Sequence, residues 1–299
     1  MAEFKRLEGI MPALATPLNE DETVDESGFR RLLHWVLDGG VHGVVVLGSA
    51  GEFAALADAE KRKAIEIVVS EVAGQVPVIA GTGEPGTKRA LAMTRMAAKL
   101  GVDAAMVVPP YYNPLNQAGV LKHYHTLATE TELPIILYNI PGCTKVTLDL
   151  GVVQELAGEE GIIGIKDSGG NFGYFERVVE RVKSDSFGIV TGSDHLLFVS
   201  LMVGGDGSIG PGANVAPDWF VKLWKAVKEA RFAEAWELER QIMSLGGDLY
   251  RLAGGFHAGI KAALALLGIC QPVVTSPMRA PTDAQMKQVE AKLRELQLL

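Results

Sequence analysis

The sequence predicts an α/β fold, a (β/α)8 TIM barrel with a C-terminal helical appendage, and three observations carry the prediction. Short β-branched apolar runs alternate with longer amphipathic stretches from about residue 10 to about residue 225. Several runs (VVVL, AAMVV, PIIL, GIIGI) are almost wholly apolar, as parallel strands covered on both faces are. The runs number eight, each with its helical partner occupying a few dozen residues; six or fewer would have suggested an open doubly wound sheet.

In chain order the strands are predicted at 9–14, 43–47, 76–80, 104–108, 135–138, 162–165, 187–191 and 207–209. Helical patterns lie between them, as at 58–72, 87–100 and 172–182. The eighth strand falls in the glycine-rich GGDGSIGPG and is expected to be very short. Beyond it, Phe232/Trp236, Leu238/Ile242/Leu245, Ile260/Leu264/Leu267 and Val289/Leu293/Leu296 recur at helical spacing, and the last helix has a cap at Thr282 or Asp283. Residues 1–225 are therefore read as the barrel and 226–299 as a helical region packed on it.

With 48% hydrophobic and 21% charged residues, the chain can build a sizeable core, and disorder is excluded on composition. A net charge of −8 argues against nucleic acid and anionic membrane surfaces, while leaving room for a local positive pocket that takes a small acid. Cys143 and Cys270 are too few and too far apart for a disulfide framework or a zinc cluster, which fits a reducing cytosol. The N-terminus lacks a long apolar segment, and no run approaches the roughly 20 apolar residues of a membrane span. A soluble, cytoplasmic chain is expected.

Barrel active sites form at the C-terminal ends of the strands, so reactive side chains just after apolar runs are the candidates. Lys166 ends GIIGIK. A lysine amine attacks a carbonyl only when neutral, and an apolar barrel mouth favours the neutral form; the plain alternative is a lysine snorkelling out to pair with Asp167. Tyr138 closes the fifth run in LYNIP, where a phenol can shuttle a proton or simply pack and bond a backbone carbonyl. In GSAGE the backbone around Gly48, Ser49, Ala50 and Gly51 can converge on a carboxylate, or form a tight turn in which Glu52 caps or pairs. Tyr111 and Tyr112, in PPYYNP, are adjacent tyrosines flanked by prolines, which more often form a contact surface than an active site. Asp194, after the seventh run, either lines the pocket or starts a helix, and Ile209 ends the eighth strand beside the same mouth.

Other motifs fail their own context. GTGEPG (Gly81, Gly83, Gly86) matches a dinucleotide fingerprint, yet it follows the third strand, and Asp103 precedes the next strand instead of ending it. The histidines show no zinc-protease spacing, and His123 and His125 read as surface residues.

GSAGE, PPYYNP, YNIP and IKDSGG occur in the order and spacing of the dihydrodipicolinate synthase / N-acetylneuraminate lyase family, and the sequence resembles that family along essentially its whole length. The resemblance implies that Lys166 forms a Schiff base with pyruvate or another 2-keto acid and that Tyr138 relays protons. It implies that Ser49 and the Ala50 N–H hold the carboxylate, and that Tyr112 reaches into a neighbouring subunit of a homotetramer built as a dimer of dimers. No metal or organic cofactor is implied.

The chain also departs from the family. Synthases usually carry an arginine two residues after the proline of YN-x-P, where Cys143 stands and can offer no bidentate cationic fork. Sialic-acid lyases usually have two adjacent acids where this chain has Asp194 and His195. The expected reaction is therefore aldol cleavage or condensation, or a related dehydration, of a 2-keto-3-deoxy sugar acid or similar hydroxy keto acid. The alternatives are 4-hydroxy-tetrahydrodipicolinate synthase, joining pyruvate to aspartate semialdehyde, and a non-catalytic keto-acid-binding relative.

Overall fold

The computed structural model describes residues 4, 6–113 and 115–299. Eight parallel strands follow one another around a curled sheet: β1 (Gly9–Ile10), β2 (Val44–Val46), β3 (Val78–Gly81), β4 (Ala104–Val107), β5 (Ile135–Asn139), β6 (Ile162–Asp167), β7 (Gly188–Thr191) and β8 (Gly207–Ser208). Each pairs with its sequence neighbour, and β1 pairs with β8. The ring closes through an isolated parallel bridge between Ala13 and Val45. The expected first strand, 9–14, is thus interrupted: Pro12 has no N–H to donate, so regular pairing stops at Ile10, although the Pro12 carbonyl still accepts from Val45 at 3.0 Å.

The strands are apolar because they are covered on both faces; Val44, Val45 and Val46 are completely buried. The N-terminal ends are closed by the segment around Leu7, which packs so near Gly188 that an added Cβ would fall 2.1 Å from the Leu7 carbonyl oxygen. The opposite, C-terminal ends are left to form a site. Helices cover the outside. The helices Asp58–Val72 and Phe172–Val182 have the bounds the periodicity predicts, and the third ends one residue early, at Lys99. Side-chain caps start several helices, as when Asn171 accepts from the Tyr174 N–H, a contact that typically contributes about 1 kcal/mol.

Four helices end the chain: Pro217–Lys228, Phe232–Leu252, Phe256–Leu266 and Asp283–Glu295. Thr282 is the cap of the last, in a reciprocal capping box with Gln285. Leu245, Leu249, Ala258, Ala262, Val289 and Leu293 form one buried cluster joining three of these helices. Among the described residues no helix is long and apolar enough to cross a membrane.

One sequence expectation is corrected. His123 is not a surface residue; it is 1% exposed, with Nδ1 2.9 Å from the Thr87 hydroxyl, and burial lowers its pKa to about 4. The two-residue spacing places it on the inner face of its helix while His125, exposed, meets Glu159 at 2.7 Å.

Candidate active site

Parallel pairing sets the core of the site. Tyr138 on β5 and Lys166 on β6 are register partners, so both side chains leave the sheet on the same face. The Lys166 amine lies 4.1 Å from the centre of the Tyr138 ring, and the two residues are 2% and 3% exposed. Lys166 does not end its strand but sits inside it, because β6 continues to Asp167. Nor does it snorkel out to Asp167. That carboxylate accepts from Asn139 Nδ2 at 2.7 Å and from the Gly169 N–H at 3.1 Å. Burial raises the Asp167 pKa, and these two hydrogen bonds oppose the shift. Gly192 is small because of the amine: a Cβ there would fall 2.6 Å from Lys166 Cε and 1.9 Å from the Ser168 hydroxyl.

The GSAGE turn follows β2 and reaches the same place. Ser49 Oγ lies 3.2 Å from the Tyr138 hydroxyl, so amine, phenol and serine hydroxyl form a continuous row. Inside the turn the Gly51 and Glu52 N–H groups bond the Gly48 and Ser49 carbonyls at 3.1 Å. Among the described residues the Ser49 and Ala50 N–H groups have no acceptor, which leaves two donors for an anion.

A cavity of about 340 Å³ opens at the Ser49 and Tyr138 end of this row, while Lys166, buried behind the phenol, lines neither this cavity nor the one beside Asp194. Gly48, Ser49, Tyr138 and Cys143 line it, together with Tyr111 and His257. Among the described residues no arginine or lysine lines it, and its carboxylate, Glu52, is paired with the buried Lys261 at 3.0 Å. Of the cations that could serve it from outside the lining, exposed Arg279 follows the lining residue Met278, and two others are engaged elsewhere. Lys145 bonds the Gly142 carbonyl of its own loop, and Arg251 pairs with Asp248.

Three candidates lie apart from that row. Asp194 borders a second cavity of about 390 Å³ with Gly192, His195 and Tyr250. It opens a 3-10 turn, but its carboxylate accepts from the Gly212 N–H at 2.9 Å instead of capping its own turn. Burial pushes the Asp194 pKa up to about 7, against the opposing pull of that N–H and of Lys166. Glu239, also buried, stands at about 7 for the same reason, with Asp194 adding to the rise. Ile209 is fully buried, its N–H bonded to Thr191, and lines neither cavity. Tyr112 is 92% exposed, with a left-handed φ of 79°, and is not brought to the site of its own chain; Tyr111 is.

The discarded glycine motif has a structural use. A Cβ on Gly81 would meet the Leu47 carbonyl oxygen at 2.0 Å, and Asp103 accepts from the Val78 N–H, so the pattern serves strand packing. Sequence reasoning missed His257, whose Nε2 lies 2.9 Å from the Ser49 carbonyl oxygen across 208 residues of chain; no local signal announces it.

Comparison with known proteins bears on this geometry. The family model described as the dihydrodipicolinate synthetase family matches residues 6–296. The 4-hydroxy-tetrahydrodipicolinate synthase of Methanopyrus kandleri is 37% identical over 296 residues, covering 98% of each chain. Among solved structures, the Escherichia coli K12 prophage protein YagE, of the dihydrodipicolinic acid synthase family and bound to pyruvate, superposes with a TM-score of 0.94 at 30% identity, over 98% of this chain and 99% of its own. CdNal of Clostridium difficile, solved with mannosamine, gives 0.92 at 27% identity, over 97% and 99%. The chain therefore belongs to the dihydrodipicolinate synthetase family and, like its members, is an enzyme of the class I aldolase type.

Proposed function

We propose that this enzyme captures pyruvate, or a related 2-keto acid, as a Schiff base on Lys166 and catalyses aldol condensation or cleavage with a neutral hydroxylated aldehyde. The observation that carries the reading is the row Lys166–Tyr138–Ser49 beside a cavity without a cationic lining. The buried amine attacks the keto carbon, and loss of water leaves a protonated imine. Tyr138, beside the amine and bonded to Ser49, moves the protons of that step. The free N–H groups of Ser49 and Ala50 receive the carboxylate, with Gly48 and Gly51 keeping the turn small. The imine then draws electrons from the neighbouring carbon; the enamine that forms adds to an aldehyde, and hydrolysis frees the amine.

The names of the relatives favour a second reading, 4-hydroxy-tetrahydrodipicolinate synthase, in which the aldehyde is aspartate semialdehyde. The two readings divide at Cys143. A second carboxylate entering there meets no cation among the lining residues, and losing a hydrogen-bonded charge pair in a desolvated site costs about 2–5 kcal/mol, roughly one to four orders of magnitude in specificity. Asp194, bordering the neighbouring cavity, supplies a hydroxyl partner under the first reading. Assembly through Tyr112 into a homotetramer belongs to both readings and is supported by the exposed ring and its left-handed backbone. A cytoplasmic setting agrees with two unpaired cysteines.

Pyruvate with borohydride should label Lys166 irreversibly, read by peptide mass; labelling elsewhere, or none, overturns the Schiff-base assignment. Specificity constants for aspartate semialdehyde and for polyhydroxy aldehydes then separate the readings: clear preference for the semialdehyde makes the enzyme a synthase.

A further inference from the structure

The turn that receives the carboxylate is not held by the barrel alone. It is flanked by Leu47 and Glu52, both left-handed, with φ of 62° and 61°, a backbone region disfavoured for residues that carry a Cβ. Something outside the turn must hold them there. Glu52 Oε2 accepts from both the N–H and the hydroxyl of Thr275, at 2.6 and 2.8 Å, and Oε1 lies 3.0 Å from Lys261 Nζ. The two charged side chains are 0% and 1% exposed. Lys261 also donates to the Val273 carbonyl at 2.7 Å, so the amine is fixed from two sides. One helical turn earlier on the same face of helix Phe256–Leu266, His257 meets the Ser49 carbonyl at 2.9 Å. A carbonyl oxygen can only accept, so His257 Nε2 carries the proton.

A buried ion pair is poor value as a stabiliser, since apolar residues of similar volume often serve as well. What it supplies is a defined direction for the chain at both ends. Here one end is the residue that closes the carboxylate turn, and the other is a helix beyond the eighth barrel strand.

We propose that Lys261 and His257 are positioning residues for keto-acid capture, aiming the Ser49 and Ala50 donors from the C-terminal helices. The inference rests on the reading of that turn as the carboxylate site. It distinguishes these residues from Lys166 and Tyr138, because Lys261 reaches the turn through Glu52 and His257 holds it by the Ser49 carbonyl from the cavity wall. Their loss should weaken pyruvate binding more than it slows turnover at saturation.

The test measures the pyruvate concentration giving half-maximal borohydride trapping on Lys166, together with KM and kcat. His257→Leu removes one hydrogen bond and no ion pair; it should raise half-saturating pyruvate about tenfold, with kcat within about threefold. His257→Gln, whose amide can donate to the same carbonyl, should restore most of that loss. Lys261→Met should raise the pyruvate requirement further, and the double variant Glu52→Gln/Lys261→Met, which buries no lone charge, should keep the fold while retaining the weak binding. If Lys261→Met fails to fold by circular dichroism, the His257 pair decides. Natural protein that is not labelled at Lys166 overturns the function itself. Labelled natural protein, with the pyruvate requirement unchanged in folded His257→Leu, overturns the positioning role alone.

Discussion

The two sides of the barrel mouth handle buried polarity in opposite ways. On the β5–β6 side, Lys166 faces the Tyr138 ring, the phenol meets Ser49, and the adjoining cavity is largely apolar. On the β7–β8 side, Asp194 and Glu239 are buried carboxyl groups with pKa values near 7, and Asp194 Oδ1, Ser208 Oγ and the Tyr250 hydroxyl have no aligned hydrogen-bond partner among the described residues. The first side sets a buried amine against a phenol ring whose hydroxyl meets a serine. The second holds two acids whose pKa values burial has raised, beside buried polar atoms that lack aligned partners. Gly192 joins them, packing on Lys166 and bordering the Asp194 cavity. On the second side desolvation disfavours the charged carboxylates and raises both pKa values.

Lys166→Ala should break the first side outright. Turnover and borohydride labelling should fall to background while circular dichroism stays unchanged, and retained turnover would remove the amine from the chemistry. Tyr138→Phe keeps the ring under the amine and deletes only the hydroxyl, so the rate should drop about 10²–10⁴-fold with little change in melting temperature. A near-normal rate would reduce Tyr138 to packing. Cys143→Arg tests the cavity's missing cation. It should raise the specificity constant for aspartate semialdehyde relative to a neutral aldehyde by about tenfold or more; an unchanged ratio would place the carboxylate elsewhere.

The second side is sharpened through pH. The folded pKa of Asp194 stands above its ordinary 3.8, at about 7. Its stabilising contribution is therefore complete below about pH 3.8 and is lost as the pH rises to about 7. Asp194→Asn stays neutral throughout. Its stability relative to the natural protein should climb across that window, by at most about 4 kcal/mol, and level off above it. Parallel pH curves for the two proteins would show that Asp194 titrates normally. On rate with a small aldehyde, this substitution should have the smallest effect of the four.

Much of this architecture is written locally. Apolar runs bounded by turns mark most of the strands, since a strand covered on both faces must be apolar along its length; the eighth, Gly207–Ser208, lies in a glycine-rich turn instead. Helical periodicity sets the bounds of Asp58–Val72 and Phe172–Val182, because an amphipathic face repeats every turn. The placement of Lys166 and Tyr138 near the C-terminal ends of their strands, each one residue before the last, follows from the same signal, and parallel pairing then makes them neighbours.

What tertiary structure alone decided are the contacts between residues far apart in the chain. His257 to Ser49, Lys261 to Glu52 and Asn214 to Ala13 each span about 200 residues, and no periodicity reports them. The burial of His123 likewise depends on which helix face the barrel covers, and Tyr112, left-handed and 92% exposed, is not brought to the site of its own chain. Sequence determines which stretches become strands and helices through short-range sterics and burial. The direction of each loop side chain is settled only when distant segments close around it, because a buried polar group takes whatever partner the completed fold brings within reach.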